Sequence, residues 1–279
     1  MHFLAVGIIR NIKVILLIAL LAFAIPWSAL ASDVTVSGSS TVMPLAEAAA
    51  EEFNVLQKEY VVTVSAGGTG AGILGIAERK YDIALASREV TEGEKQRFGD
   101  YFEMFPVGLD GISLAVSEEV YQAGVKDLSQ QQVKDIYSGN ITNWKEVGGP
   151  NADIYVISRE DGSGTRANFN EVVLGSRDAE TPGVDTVANG GAEVKTAISG
   201  SDKAIGYLGF NYLGGDVVGL AFNGVPPTYD NIKLDLYELH RHLYFCTFKK
   251  PSAGAQAFID FVRGPQGQKI AALEGFIPI

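Results

Sequence analysis

The sequence has little cysteine and little histidine, and both shortages exclude kinds of chemistry. Cys246 is the single cysteine of 279 residues, so the chain forms no internal disulfide and offers no cysteine cluster to a metal. His2 stands near the start, and His240 and His242 lie two residues apart. No acidic residues cluster with these two histidines, so we expect them to be alternating residues of a surface strand. The sequence therefore predicts no metal site.

Basic residues are also scarce, 22 against 33 acidic residues, which gives a formal net charge of −11. This balance argues against nucleic acid and anionic membrane surfaces as partners, because both would be repelled. Charges more than about 8 Å apart are largely screened at physiological salt, so a local anion site remains compatible with an acidic surface. Such a site must depend on backbone N–H groups and one or two arginines.

One apolar segment, at the N-terminus, has the features of a targeting signal. Arg10 and Lys13 lead into the apolar stretch Val14–Ile25, and Ala29-Leu30-Ala31 matches the small-x-small pattern of a cleavage site. We therefore predict a signal peptide over residues 1–31 that exports the chain to the periplasm or the outer face of the envelope. The alternative is an uncleaved membrane anchor, which the short apolar stretch disfavours.

Three segments combine a strand-like run, a turn rich in glycine and hydroxyl side chains, and a helix-like run. Their turns are Gly38-Ser39-Ser40-Thr41, Gly67-Gly68-Thr69-Gly70 and, directly after Arg159, Glu160-Asp161-Gly162-Ser163-Gly164-Thr165. A helix start presents unpaired N–H groups at the positive end of the helix dipole and so attracts anions. One such start is usually only a cap. Three of them predict a site for a dehydrated oxyanion, which needs a protein donor for every lost water.

Strand-like and helix-like segments alternate along the rest of the chain, which predicts an α/β fold with buried, mostly parallel strands. Further predicted strands are Ile83–Ala86, Ile112–Val116 and Ala204–Leu208, and predicted helices are Ser129–Tyr137, Ala192–Ser199 and Gly254–Arg263.

Motifs of enzymes and cofactor-binding proteins are weak or missing. Gly70-Ala71-Gly72-Ile73-Leu74-Gly75 matches G-x-G-x-x-G, but the turn is already complete before it, and an exported chain rarely meets nicotinamide cofactors. No lysine follows these glycines, so they do not form a P-loop. Ser163 lies in no G-x-S-x-G elbow and has no histidine at a motif-like distance. The sequence therefore predicts no catalytic residue and no cofactor.

With these residues, the chain resembles the phosphate-binding proteins of ABC-type phosphate importers, over nearly all of its length beyond residue 31. The resemblance is carried by an ordered series of motifs: Gly38-Ser39-Ser40-Thr41, Gly67–Gly72, Asp82–Glu89, Asp110-Gly111-Ile112, Ile141–Trp144, Arg159–Thr165, Ala204–Tyr207 and Phe258–Val262. It implies a two-lobed, type II-like periplasmic-binding-protein fold with two hinge crossovers and the ligand in the cleft. The implied lobes are residues 32–109 plus 238–279, and residues 110–237.

The resemblance also implies a function without a catalytic step. The chain would capture inorganic phosphate as a monomer and deliver it to the membrane permease of an ABC importer. Arg159 matches the family's ligand-binding arginine, and Asp161 matches the acid that holds it. The expected phosphate-binding residues are Ser40, Thr41, Val42, Thr69, Ser87, Arg88, Arg159, Asp161, Ser163, Gly164 and Thr165.

Arg88 departs from the family pattern, because well-known members carry there an aspartate that accepts the proton of hydrogen phosphate. We favour a place for Arg88 in the cleft, beside the Ser87 hydroxyl; the alternative is a structural pair with Glu89 or Asp110. Without that acid, sulfate, tungstate and molybdate remain alternative ligands, unless Asp110 or Asp161 takes its role. A phosphohydrolase or an anchored ligand sensor is the alternative outside the transport class.

Overall fold

A computed structural model describes residues 31–279, so the predicted signal peptide lies outside the described residues apart from Ala31. The strands are β1 (Ser32–Gly38), β2 (Tyr60–Ala66), β3 (Ile83–Ala86), β4 (Phe102–Ser117), β5 (Asp127–Leu128), β6 (Tyr155–Arg159), β7 (Thr186–Ala188), β8 (Ala204–Gly209), β9 (Val217–Gly219), β10 (Ala221–Phe222) and β11 (His240–Phe248). The helices are α1 (Met43–Leu56), α2 (Thr69–Ala77), α3 (Glu92–Phe98), α4 (Glu118–Gln122), α5 (Gln130–Tyr137), α6 (Gly164–Leu174), α7 (Gly191–Ser199), α8 (Tyr229–Lys233), α9 (Ala253–Arg263) and α10 (Pro265–Leu273).

These elements confirm the predicted α/β class and most local predictions. The strand predicted at Ile83–Ala86 has those bounds, and the three predicted helices appear as α5, α7 and α9 with ends within one residue. Each of the three turns singled out in the sequence does connect a strand to a helix: β1 to α1, β2 to α2 and β6 to α6. None of the helices described in residues 31–279 is long and apolar enough to cross a membrane.

A mixed sheet with the strand order β2-β1-β3-β11-β4-β8-β6-β7 forms the framework, and β9 adds to β4. The outer pairings, β1 with β2 and β3 and β6 with β7 and β8, are parallel, as β-α-β connections require. At the centre, β11 pairs antiparallel with β3 and β4, and β4 pairs antiparallel with β8. The expectation of mostly parallel strands is therefore correct for the outer strands and wrong for the centre.

The central strand β4 is unusually long and changes partner along its length. Residues 102–111 pair with β11, and residues 112–116 pair with β8. The register between β4 and β11 shifts at Leu243/Tyr244, opposite Pro106. Proline donates no backbone hydrogen bond and is tolerated within sheets at such irregularities.

The two largest groups of buried apolar side chains lie on either side of this change of partner. The first core draws its buried members from residues 34–107 and 243–276, including Leu45, Leu85, Phe245 and Phe258. The second core draws them from residues 112–239 together with Ile277, including Trp144, Phe169, Tyr207 and Tyr237. The two cores thus draw on different parts of the chain, and β4 contributes residues to both.

Candidate functional site

The three helix starts predicted to converge do come together. Thr41, before α1, and Thr165, in the first turn of α6, place their hydroxyl oxygens 3.0 Å apart, although 124 residues separate them in the sequence. In the first turn of α2, the backbone N–H of Gly70 donates to the carbonyl of Gly162 at 3.0 Å. The starts of α1 and α2 therefore both contact the start of α6.

Gly164 sits at the tightest point of this convergence. A Cβ atom added there would lie 2.4 Å from the Ser87 hydroxyl oxygen and 2.7 Å from that of Thr69. Ser87 and Thr69 are themselves joined, with 3.2 Å between their hydroxyl oxygens. Only glycine therefore lets the start of α6 approach these two hydroxyl groups so closely.

Arg159, the last residue of β6, is buried beside the start of α1, with 2% of its surface exposed. Its Nε and Nη2 donate to the two carboxylate oxygens of Glu160, each at 2.9 Å, and Nη2 also donates to the Ser40 hydroxyl at 3.1 Å. Its Nη1 is buried and has no hydrogen-bond partner among the described residues. Arg159 is thus held rigidly and keeps one buried donor free for a ligand.

The prediction that Asp161 holds Arg159 is wrong, because Glu160 occupies both of the donor positions involved. Asp161 instead pairs with Arg166, and its side chain is 97% exposed. The adjacent glutamate has the longer side chain and folds back along the guanidinium, whereas Asp161 lies on the outside of the turn before α6.

Arg241 in β11 is also buried, and the sequence reasoning missed it. It lies between His240 and His242, which alternate away from the buried side as expected, but on a central strand of the sheet rather than a surface strand. The Nη2 of Arg241 donates to Asp110 at 2.8 Å and reaches the Thr41 hydroxyl at 3.4 Å. Side chains alternate along a strand, so two outward-facing histidines place the residue between them inward. A charged residue in that inward position was the available signal.

Asp110 and Arg241 form a fully buried ion pair. Burial raises the pKa of Asp110, which the charge of Arg241 and hydrogen bonds from Arg241 and the Phe210 N–H oppose only in part. Burial lowers the pKa of Arg241; Asp110 opposes this effect, and the positive charge of Arg159 adds to it.

The other predicted hydroxyl and backbone groups are positioned by local hydrogen bonds. The Thr41 N–H donates to the Ser39 hydroxyl, and the Val42 N–H donates to the Ser39 carbonyl at 3.1 Å. The Ser163 hydroxyl caps α6 by accepting the N–H of Arg166 at 3.3 Å. These bonds fix the turns before α1 and α6 in the conformations that bring their hydroxyl groups together.

Arg88, directly after β3, is tied down by α3. Its Nη1 and Nη2 donate to the two Glu94 carboxylate oxygens at 2.9 and 2.8 Å, and Nη1 also donates to the Glu89 carbonyl at 2.9 Å. Its carboxylate partner is thus Glu94 rather than Glu89 or Asp110. The same side chain lines a groove of about 830 Å³ that also contacts Asp161 and Arg166. This geometry favours the structural interpretation of Arg88.

Glu94→Gln should lower the free energy of unfolding by about 1–3 kcal/mol, the range for a hydrogen bond to a charged group. Burial alone would raise the pKa of Glu94, but hydrogen bonds from Arg88 and Thr91 outweigh it and leave the pKa below its usual value. A lowered pKa contributes stability above the unfolded value of about 4.3 that disappears as the pH falls through the folded value.

Urea titrations between pH 3 and 7 measure this effect. The decrease in the free energy of unfolding caused by Glu94→Gln should be largest at pH 7 and become smaller below about pH 4. Glu92→Gln is the matched control, because Glu92 pairs with Lys95 in the same helix and is 79% exposed. An equal loss in both variants, or a loss that does not vary with pH, would contradict a structural role for the Arg88–Glu94 pair.

Comparison with known proteins assigns the chain to a family. Residues 26–265 match the model of the PBP superfamily domain. The phosphate-binding protein PstS of Bacillus subtilis is 33% identical over 250 residues, covering 88% of this chain and 81% of that protein. PstS of Borreliella burgdorferi is 29% identical over 96% of this chain and 99% of its own length. The chain belongs to the PBP superfamily, and within it to the PstS family of phosphate-binding proteins.

Solved structures agree with this assignment. A protein of Clostridium perfringens, assigned as a phosphate ABC transporter substrate-binding protein and solved with bound phosphate, is 35% identical with a TM-score of 0.82; the match covers 89% of this chain and 100% of that one. An ABC-type phosphate transport receptor of Vibrio cholerae is 30% identical with a TM-score of 0.74, and the match covers 88% of this chain and 100% of that one. The resemblance inferred from the motifs is confirmed.

Proposed function

We propose that this chain is an extracytoplasmic solute-binding protein that captures inorganic phosphate and delivers it to the permease of an ABC importer. One observation carries the proposal: Arg159 lies buried at the starts of α1 and α6, is held by Glu160 and Ser40, and keeps Nη1 without a partner among residues 31–279. A dehydrated anion needs such preformed donors to replace its water. The PstS relatives, and the phosphate bound to the Clostridium perfringens protein, identify phosphate as the anion to test first.

The donors proposed to bind phosphate come from both halves of the fold. Ser40, Thr41, Val42, Thr69 and Ser87 precede the point at which β4 changes partner, whereas Arg159, Ser163, Gly164 and Thr165 follow it. An anion held by both sets favours the closed arrangement, because only there can every donor reach it. The two cores support lobes of residues 32–109 plus 238–279 and of residues 110–237.

We place Arg88 and Asp161 beside the site rather than within it, because Arg88 pairs with Glu94 and, unlike Arg159, has no buried nitrogen without a partner among the described residues, and because Asp161 is exposed and pairs with Arg166. Asp110 is connected to the donors through Arg241 and Thr41, whereas Glu160 contacts Arg159 directly. We propose no catalytic step, in keeping with relatives that are named as phosphate-binding proteins. Export by the N-terminal signal, a monomeric state and the permease partner belong to the same proposal.

Phosphate should bind one-to-one and raise the melting temperature of the chain beginning at Ser32. A ligand that binds only the native state adds about 2.7 kcal/mol at a hundredfold excess over its Kd. For a protein of this size, each kcal/mol raises the melting temperature by about 2–4 °C. Calorimetric titration and thermal melts measure both effects after bound phosphate has been removed by unfolding and dialysis.

Sulfate, molybdate and tungstate are the comparison ligands in the same two measurements. If one of these anions binds more tightly than phosphate, the site belongs to that anion, and the result contradicts phosphate transport. No stabilisation by any of the four would contradict oxyanion binding altogether.

A further inference from the structure

We propose that Arg241 is a second anion-binding arginine of this site and that Asp110 positions it. The inference rests on the proposed function, because it concerns how the same anion is held. It adds a residue from β11, a strand far in sequence from the three helix starts that the motifs identified.

The hydrogen-bond inventory of Arg241 is the first reason. Of its three guanidinium nitrogens, only Nη2 has an acceptor; Nε and Nη1 are buried without one anywhere in residues 31–279. Buried donors of a charged group are rarely left unpaired, because their desolvation is costly. A purely structural ion pair with Asp110 would leave these donors unexplained, whereas an anion with several oxygens supplies the missing acceptors.

The position of the two arginines is the second reason. Arg159 contacts the hydroxyl of Ser40, and Arg241 reaches the hydroxyl of the next residue, Thr41. Thr41 in turn contacts Thr165, at the start of α6. Both guanidinium groups therefore meet at one turn, and the unpaired buried nitrogens of each belong to the same cluster of side chains.

The pairing of the two arginines is the third reason. Each guanidinium group is paired with one carboxylate, Glu160 or Asp110, which balances its charge but leaves buried N–H groups without an acceptor. Arginine matches oxyanions through several N–H groups in a fixed plane, so one anion with several oxygens can supply acceptors to both side chains. Asp110 holds Arg241 much as Glu160 holds Arg159.

Asp110 and Arg241 are also direct neighbours across β4 and β11, at the junction of the two halves. An anion bound by Arg241 would therefore contact the strands that connect the halves, in addition to the helix starts on either side. This placement distinguishes Arg241 from every donor that the sequence motifs indicated.

Binding and folding of three variants test the proposal. The double variant Arg241→Gln, Asp110→Asn removes both charges without leaving either buried and unpaired. Arg241→Lys keeps the charge but loses the planar set of donors. Arg263→Gln, at the exposed end of α9, is the matched control. We expect phosphate affinity to fall roughly 30- to 1,000-fold in the double variant, less in Arg241→Lys, and to stay unchanged in the control.

A second measurement follows the Arg241 side chain in the unmodified protein. In a sample labelled with ¹⁵N arginine, the Nε–H signal lost in Arg241→Lys is assigned to Arg241. Phosphate should move that signal, because Nε gains an acceptor, whereas a structural ion pair would leave it in place. This readout does not depend on the folding of any double variant.

The outcomes separate the inference from the proposed function. Unchanged affinity in the double variant, or an unmoved Nε signal while phosphate binds, would overturn the role of Arg241 alone. Failure of the unmodified protein to bind phosphate, sulfate or molybdate would overturn both. Reduced affinity together with a moved Nε signal would support the role of Arg241.

Discussion

Arg159→Ala is expected to weaken phosphate binding by roughly 2–4 kcal/mol, in the range for truncating one partner of a buried charge pair. The change removes the unpaired Nη1 donor and releases Glu160 and Ser40 from the contacts that order the turn before α1. Titration calorimetry of the two proteins gives the difference directly.

The matched control for this prediction is Arg177→Ala. Arg177 pairs with Glu171 on the surface, where both side chains are partly exposed, so its removal should leave phosphate affinity unchanged. The unliganded Arg159 variant should still unfold cooperatively. Near-normal affinity in Arg159→Ala would show that Arg159 does not touch the anion.

Gly164→Ala is expected to weaken phosphate binding by about 1–3 kcal/mol, the usual cost of forcing extra volume into a packed site. The added Cβ would lie 2.4 Å from the Ser87 hydroxyl oxygen and 2.7 Å from that of Thr69, so the start of α6 cannot approach both. The unliganded variant should still fold, because alanine suits the first turn of a helix and the start of α6 can move away from Ser87 and Thr69 by opening of the hinge.

Small-angle scattering with and without phosphate distinguishes blocked closure from a lost contact. Phosphate should lower the radius of gyration of the unmodified protein, and it should lower that of the Gly164→Ala variant less. Gly93→Ala is the control, because the nearest atom to its added Cβ is the Thr91 hydroxyl oxygen at 4.0 Å. Equal affinity and equal compaction in both alanine variants would show that Gly164 does not limit closure.

The sequence predicted what is encoded locally. A helix start needs only a turn, a capping hydroxyl and a periodic apolar face within about a dozen residues, so the turns before α1, α2 and α6 were recognised. Their convergence was inferred from the donors that a dehydrated oxyanion needs, and strand direction does not explain it: followed through β3, β11, β4 and β8, strand β6 runs opposite to β1. Arg159 was recognised because it directly precedes the third turn and matches the ligand-binding arginine of the family that the chain resembles.

What the sequence could not predict depends on strand register or on side-chain reach. Asp110 and Arg241 are 131 residues apart, and only the antiparallel pairing of β4 with β11 brings them together. Neither partner lies in a helix-start motif. The sequence also could not show that Arg159 pairs with Glu160 rather than with Asp161. These two adjacent acids have the same chemistry and differ only in the direction of their side chains.

The composition of the first core has a consequence for the order in which the protein folds. Its buried residues come from 34–107 and from 243–276, so strands β1 and β3 cannot complete their packing until the last part of the chain has been made. The second core comes almost entirely from the continuous stretch 112–239. Contacts between distant segments form slowly, because closing a long loop costs entropy before the contacts compensate for it. Residues 112–239 can therefore assemble early. The apolar strands within residues 34–107 stay uncovered until residues 243–276 have been synthesised.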